Sequence, residues 1–131
     1  RLEHPSLPLP EILKPHLEWL QRRDPTVNGC LVNWYQNGDH YLGFHSDDER
    51  ELVTGSNIYC FSFGATRDFH MVEKSNLKNK QVFGLRNNTL IVMKGRCQKT
   101  HKHAIPRVKK SIAPLIGPRV SVTFRSFKDD Q

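Results

Sequence analysis

Residues 119–125 read "RVSVTFR", and the alternation is unbroken: Arg119, Ser121, Thr123 and Arg125, with Val120, Val122 and Phe124 between them. A period of two puts the four polar side chains on one face of an extended strand and the apolar trio on the other. A solvated edge strand would satisfy that pattern. If the polar face turns inward, however, its two guanidiniums need anions, and a small dicarboxylate satisfies both through bidentate hydrogen bonds.

From residue 29 onward the chain is a succession of similar short segments rich in β-branched and aromatic residues. They are "CLVNWY", "HYLGFH", "SNIYCFSFG", "RDFHMVE", "QVFGL" and "TLIVMKG", divided by turn residues such as "QNGD" and "RNN". Ahead of them, "EILKPHLEWLQRRDP" carries Ile12, Leu13, Leu17 and Leu20 at helical spacing. Pro15 kinks that helix or marks its start, and Asp24-Pro25 ends it. Many short strands after one helix predict an antiparallel β-sandwich or barrel with a helical flank. The expected organisation is a single domain, with an extended segment and scaffold helix over 1–28 and the β domain over 29–131. Lys74 to Lys80, "KSNLKNK", reads as a solvated basic loop.

At 131 residues the chain is long enough to bury a core without disulfides. Twenty Lys and Arg against thirteen Asp and Glu give a net charge of +7, which favours an anionic partner such as nucleic acid. Cys30, Cys60 and Cys97 are widely spaced and odd in number. That spacing suggests neither a zinc ribbon nor a disulfide framework, and it fits a reducing intracellular compartment, cytoplasm or nucleus. No apolar run approaches the ~20 residues of a membrane span, and no signal peptide opens the chain. Arg1 rather than Met stands first, so an excised domain is expected.

Residues 43–52, "GFHSDDEREL", place His45 and Asp47 two apart. At a strand end both face the same way, with Cα atoms about 6–7 Å apart. An isolated His-x-Asp most often means a hydrogen-bonded histidine. A distant third ligand changes its meaning, and "QKTHKHAIP" offers His101 and His103. Two histidines, one carboxylate and open positions make the facial triad of non-haem Fe(II) oxygenases, whereas a structural zinc site closes a four-ligand shell. Cys97 is near enough in sequence to be considered as a fourth ligand, although a free cysteine is more often a small buried hydrophobe.

In this order, the His-x-Asp, the later histidine of "HAIP" and "RVSVTFR" resemble AlkB-like Fe(II)/2-oxoglutarate dioxygenases, from about Leu31 to Phe127. "NWYQNGDHYLGFHSDDEREL", "SFGATRDF" and "MKGRCQKTHKHAIP" resemble the nucleic-acid demethylase branch in particular. The resemblance implies a double-stranded β-helix, a jelly-roll or cupin-like barrel that is mostly β with a helical flank. It implies Fe(II) held by His45, Asp47 and His103, the last because it directly precedes Ala104-Ile105-Pro106. The co-substrate 2-oxoglutarate would meet Arg125 at its metal-proximal carboxylate and Arg119 at its distal one, with Asn33, Tyr35 and Thr123 beside it. Ser121 stands where the family usually has Asn.

The same resemblance puts Glu49 near the target base, with a plain surface glutamate as the other reading. It puts Arg67 at a basic position of this branch, with an ion pair to Asp48 or Glu51 as the other reading. The implied reaction is oxidative demethylation of N-alkylated bases in DNA or RNA, single-stranded or flipped out, by a monomer using O2. A same-fold dioxygenase acting on a protein side chain, or a non-catalytic nucleic-acid-binding domain, are the alternatives. Nucleic-acid demethylases usually carry a recognition lid before the barrel. The thirty or so residues before "LVNWY" read as a scaffold helix, so that lid is expected to be absent, very short or outside this sequence.

Overall fold

The structure is a computed structural model and describes residues 7–129. A 3₁₀ turn, Glu11–Leu13, runs into α1 (Lys14–Gln21). Eight strands follow: β1 (Gly29–Tyr35), β2 (Leu42–His45), β3 (Ile58–Gly64), β4 (Arg67–Glu73), β5 (Asn76–Leu85), β6 (Thr89–Met93), β7 (His101–Ile105) and β8 (Arg119–Arg125). A one-turn helix, α2 (Cys97–Thr100), immediately precedes β7. The strands form two four-stranded sheets, ordered β1-β8-β3-β6 and β2-β7-β4-β5, with every pairing antiparallel. This is the jelly-roll arrangement, mostly β with a helical flank, that the sequence implies.

"RVSVTFR" is β8, a central strand rather than an edge, hydrogen-bonded to β1 on one side and β3 on the other. Arg119, Ser121, Thr123 and Arg125 are all buried. The opposite face carries Val122 and the fully buried Phe124, and it packs under α1 through Leu13, Leu20 and Val27. Pro15 lies in the first turn of α1, where its missing N–H leaves no hydrogen bond unmade, so it marks the start of the helix. Ile12 falls in the 3₁₀ turn, off the apolar stripe, and stands exposed. A second apolar cluster joins the two sheets through Tyr35, Leu52, Ile58, Phe69, Leu85, Met93 and Ile105.

The basic loop expected over Lys74 to Lys80 is largely strand. β5 begins at Asn76 and pairs along β4, with every residue before Leu85 exposed. An edge strand solvated on both faces has no apolar alternation to read, and its pairing with β4 overrides the poor strand propensity of Lys and Asn. Gly64 ends β3 at φ +95°, and a Cβ there would collide with the Pro118 carbonyl beside Arg119. Only glycine lets β3 and β8 approach so closely at that point. No helix among the described residues is long and apolar enough to cross a membrane.

Leu20 is the anchor of α1 on the sheet, 1% exposed. Leu20→Ala is expected to lower stability by about 2–5 kcal/mol in denaturant titration. Because α1 lies on the face away from His45 and Arg119, metal affinity of the folded protein should stay unchanged.

Candidate active site

β2 and β7 run antiparallel with His45 opposite His103, after an irregularity in register between Leu42 and His45. The Nδ1 of His45 lies 2.8 Å from the Gly43 carbonyl. A carbonyl only accepts, so Nδ1 carries a proton and Nε2 is the nitrogen turned to the cluster. That Nε2 is 3.3 Å from Asp47 Oδ1, and His103 Nε2 is 3.7 Å from the same oxygen. One ligand atom from each of the three residues lies within 4.8 Å of the other two. His103 is buried, its ring stacked on Phe69 at 5.4 Å and tilted against His45 at 4.3 Å.

The loop carrying Asp47 is pinned from outside the triad. The Asp47 N–H donates to Gln98 Oε1 at 2.7 Å, and the Ser46 hydroxyl donates to the His101 carbonyl at 2.7 Å. Burial pushes the Asp47 carboxyl up, but the His45 hydrogen bond and the Arg125 charge outweigh it and hold the group below the usual carboxylate range. Asp47 is therefore ionised. The Asp47 hydrogen bond raises His45 above the ordinary histidine value, against burial, and burial drives His103 down to about 4.

Beside the triad, β8 presents two buried arginines, with Ser62 of β3 next to one of them. Arg119, 1% exposed, donates from Nη2 to Ser62 Oγ at 2.7 Å, while its Nε and Nη1 have no partner among the described residues. Arg125 reaches Asp47 Oδ2 from Nη2 at 3.3 Å, and its Nε is likewise unpartnered. Register places Tyr35 opposite Arg119 and Asn33 opposite Ser121, so these residues share the inner face with Thr123. An open cavity of about 350 Å³ borders Asn33 and Tyr35, next to the segment leading into β2. Buried donors without acceptors are rare because each costs about 1–3 kcal/mol. The two arginines fit a dianion, and the triad fits a divalent ion with positions left open.

A model of the 2OG-Fe(II) oxygenase superfamily matches residues 3–125. The chain belongs to this superfamily. Human "DNA oxidative demethylase ALKBH2" is 34% identical over 128 residues, which are 92% of this chain and 47% of that protein. Human "Alpha-ketoglutarate-dependent dioxygenase alkB homolog 3" is 33% identical over 135 residues, covering 97% and 44%. The chain thus spans about half the length of the curated relatives it matches. The solved structure of OsALKBH1 superposes with a TM-score of 0.63 at 21% identity, over 89% of this chain and 65% of that one, and it shares the fold. The AlkB-like resemblance read from the motifs stands.

Within this 2OG-Fe(II) oxygenase fold, several residues take places the sequence left open. His101 is outside the triad. Its ring nitrogen bonds Thr100 Oγ1 at 2.6 Å, and only its carbonyl serves the site, through Ser46. Cys97 packs as a hydrophobe 3.8 Å from the Met71 sulfur, not as a ligand. Glu49 turns toward Arg125, 3.4 Å from Nη1, with its side chain half exposed.

Arg67 departs from the ion-pair reading. It is 2% exposed, and its guanidinium donates to three main-chain carbonyls, of Asn37, His40 and Pro106. Three functional supports escaped the motif reading: Ser62, Gln98 and Phe69. Ser62 was accessible, as the polar residue between Phe61 and Phe63 in a strand. Gln98 and Phe69 carry no such signal, because their roles come from tertiary contact alone.

A metal ligand must be a neutral imidazole. His103 already is one at neutral pH, so ion binding displaces a proton from His45 alone. Mn(II) or Co(II) affinity is expected to fall as pH drops through the raised His45 pKa, with one proton released per ion bound until pH approaches about 4, where His103 also protonates. Calorimetry in buffers of differing ionisation enthalpy reads that number; two protons over this window would contradict the assignment of His103. In parallel, His103→Ala should abolish metal binding and His101→Ala should leave it within about twofold.

Proposed function

We propose that the chain is an Fe(II)/2-oxoglutarate-dependent dioxygenase that demethylates N-alkylated bases in DNA or RNA. The observation that carries this reading is a His-Asp-His cluster in contact with Arg125, on the same strand face as the buried Arg119, with Arg119 Nε and Nη1 and Arg125 Nε lacking acceptors among the described residues. The relatives' names and the +7 charge support nucleic acid as the substrate class. When bound, iron and 2-oxoglutarate supply the O2-dependent hydroxylation of the N-methyl carbon, with succinate and CO2 formed and formaldehyde lost from the base.

The protein's own part is orientation and charge. His45 and His103 offer ring nitrogens on opposed strands, and Asp47, kept ionised by the His45 hydrogen bond and the Arg125 charge, offers the carboxylate. Arg125 takes the metal-proximal carboxylate of the co-substrate and Arg119 the distal one, with Asn33, Tyr35 and Thr123 lining the space between. Once a ligand carboxylate claims Arg125, the long Glu49 contact is released, and Glu49 is free to accept from an exocyclic amine of the base. A paired base must leave the stack to reach such a site, most cheaply where pairing is already broken. The excess of Lys and Arg holds the phosphates.

The deciding experiment is anaerobic reconstitution with Fe(II) and 2-oxoglutarate, followed by air and a methylated single-stranded oligonucleotide. Formaldehyde and succinate should appear in equal amounts, and Asp47→Ala should abolish both. Arg125→Ala should raise the 2-oxoglutarate requirement roughly tenfold or more, the loss of a charged hydrogen-bond pair. Turnover retained by Asp47→Ala would end the triad assignment. Turnover of a methylated peptide but no oligonucleotide would move the substrate to protein.

A further inference from the structure

Tyr35 carries two arginines. The Arg119 guanidinium carbon is 5.0 Å from the centre of its ring and that of Arg67 is 5.6 Å away. Both arginines are almost fully buried, at 1% and 2% exposure, and neither forms an ion pair with a described residue. Arg119 leaves Nε and Nη1 without acceptors, and Arg67 leaves Nε. Two guanidiniums around one phenol ring, desolvated and without an ion-pair partner among the described residues, form a site that favours an anion.

Arg67 is also where three pieces of chain are tied. Its Nη1 donates to Asn37 O at 3.2 Å, and its Nη2 to His40 O at 2.8 Å and Pro106 O at 2.9 Å. Asn37 and His40 lie in the turn that follows Tyr35, and Pro106 directly follows the strand that carries His103. With its fork held by carbonyls, Arg67 acts on the cavity through its charge and through the ring it stacks on. Burial first, then the like charge of Arg119, lowers its pKa from the ordinary guanidinium value, which places the two charges in each other's field.

We propose that Arg67 is a positioning residue for the distal carboxylate of the co-substrate, acting through Tyr35 and Arg119, and that it sets selectivity for 2-oxo dicarboxylates over 2-oxo monocarboxylates. The inference rests on the 2-oxoglutarate reading above and assigns it a third arginine. Arg119 bonds the carboxylate; Arg67 holds the ring beside Arg119 and adds the second unit of positive charge. A bound dicarboxylate then brings one negative charge to a cluster of two positive charges, and a monocarboxylate of equal length brings none.

The test compares 2-oxoglutarate with 2-oxopentanoate, the same five-carbon 2-oxo acid without the distal carboxylate, binding to the Mn(II)-loaded protein by calorimetry. A unit charge about 10 Å from a carboxylate, acting through an effective dielectric of about 20, changes affinity by roughly tenfold. Arg67→Met should therefore weaken 2-oxoglutarate about tenfold while leaving 2-oxopentanoate within about twofold, and Arg67→Lys should keep most of the selectivity. Equal weakening of both acids would reduce Arg67 to a structural clamp, and no change in either would also overturn the proposal.

Should Arg67→Met fail to fold, the wild-type protein still decides. The unpartnered Arg67 Nε–H resonance should shift with 2-oxoglutarate and not with 2-oxopentanoate, and an unmoved resonance counts against the proposal. Failure of wild-type protein to bind 2-oxoglutarate at all would instead remove the reading on which it rests.

Discussion

Two guanidiniums buried on the central strand of a small β-sandwich set the terms for everything around them. Desolvating a charge costs several kcal/mol unless partners replace the water. Arg125 is met by Asp47 and Glu49. Arg119 has the Ser62 hydroxyl and the face of Tyr35, and otherwise waits on a ligand. With the inner face of β8 given to charge, its apolar trio must be buried on the other side. That is why α1 lies across the outside of the sheet, over Val122 and Phe124, where a solvated surface would otherwise be expected.

The same constraint joins the two sheets. The triad belongs to β2, β7 and the loop after β2, and the two arginines to β8 of the opposite sheet. The Asp47–Arg125 pair spans the gap, while the apolar cluster from Tyr35 to Ile105 sets how far apart the sheets stand. The proposed metal ligand Asp47 and the proposed co-substrate anchor Arg125 are thus mutual counter-ions. Changing the charge on either side alters the environment of the other, so their substitutions will not combine additively.

Legibility in the sequence followed periodicity. "RVSVTFR" could be read to the residue because a strand buried on both faces, one apolar and one charged, leaves a two-residue repeat. His45, Asp47 and His103 were legible through the family resemblance of the joint motifs, since β2 ends at His45 and leaves Asp47 in a loop. β5 was not, because Asn76 to Lys80 are exposed on both faces and held only by main-chain pairing with β4. The partners of Arg67 were not legible either, because a basic residue in a strand carries no mark of what it will face, and its three carbonyl partners lie 27 to 39 positions away. Gln98 was silent for a like reason, since it meets Asp47 across 51 residues.

The ligand loop is held by protein contacts before any ion arrives: His45 by the Gly43 carbonyl, Ser46 by the His101 carbonyl, and the Asp47 amide by Gln98. Ion exchange is in that way separated from folding. A cleft shaped in advance can empty and refill without melting, and it also receives whichever divalent ion reaches it first. Imidazole and carboxylate donors favour the later first-row metals over ferrous iron. For the proposed iron site, occupancy would then be a matter of supply in the surroundings, with nickel, copper and zinc as competitors.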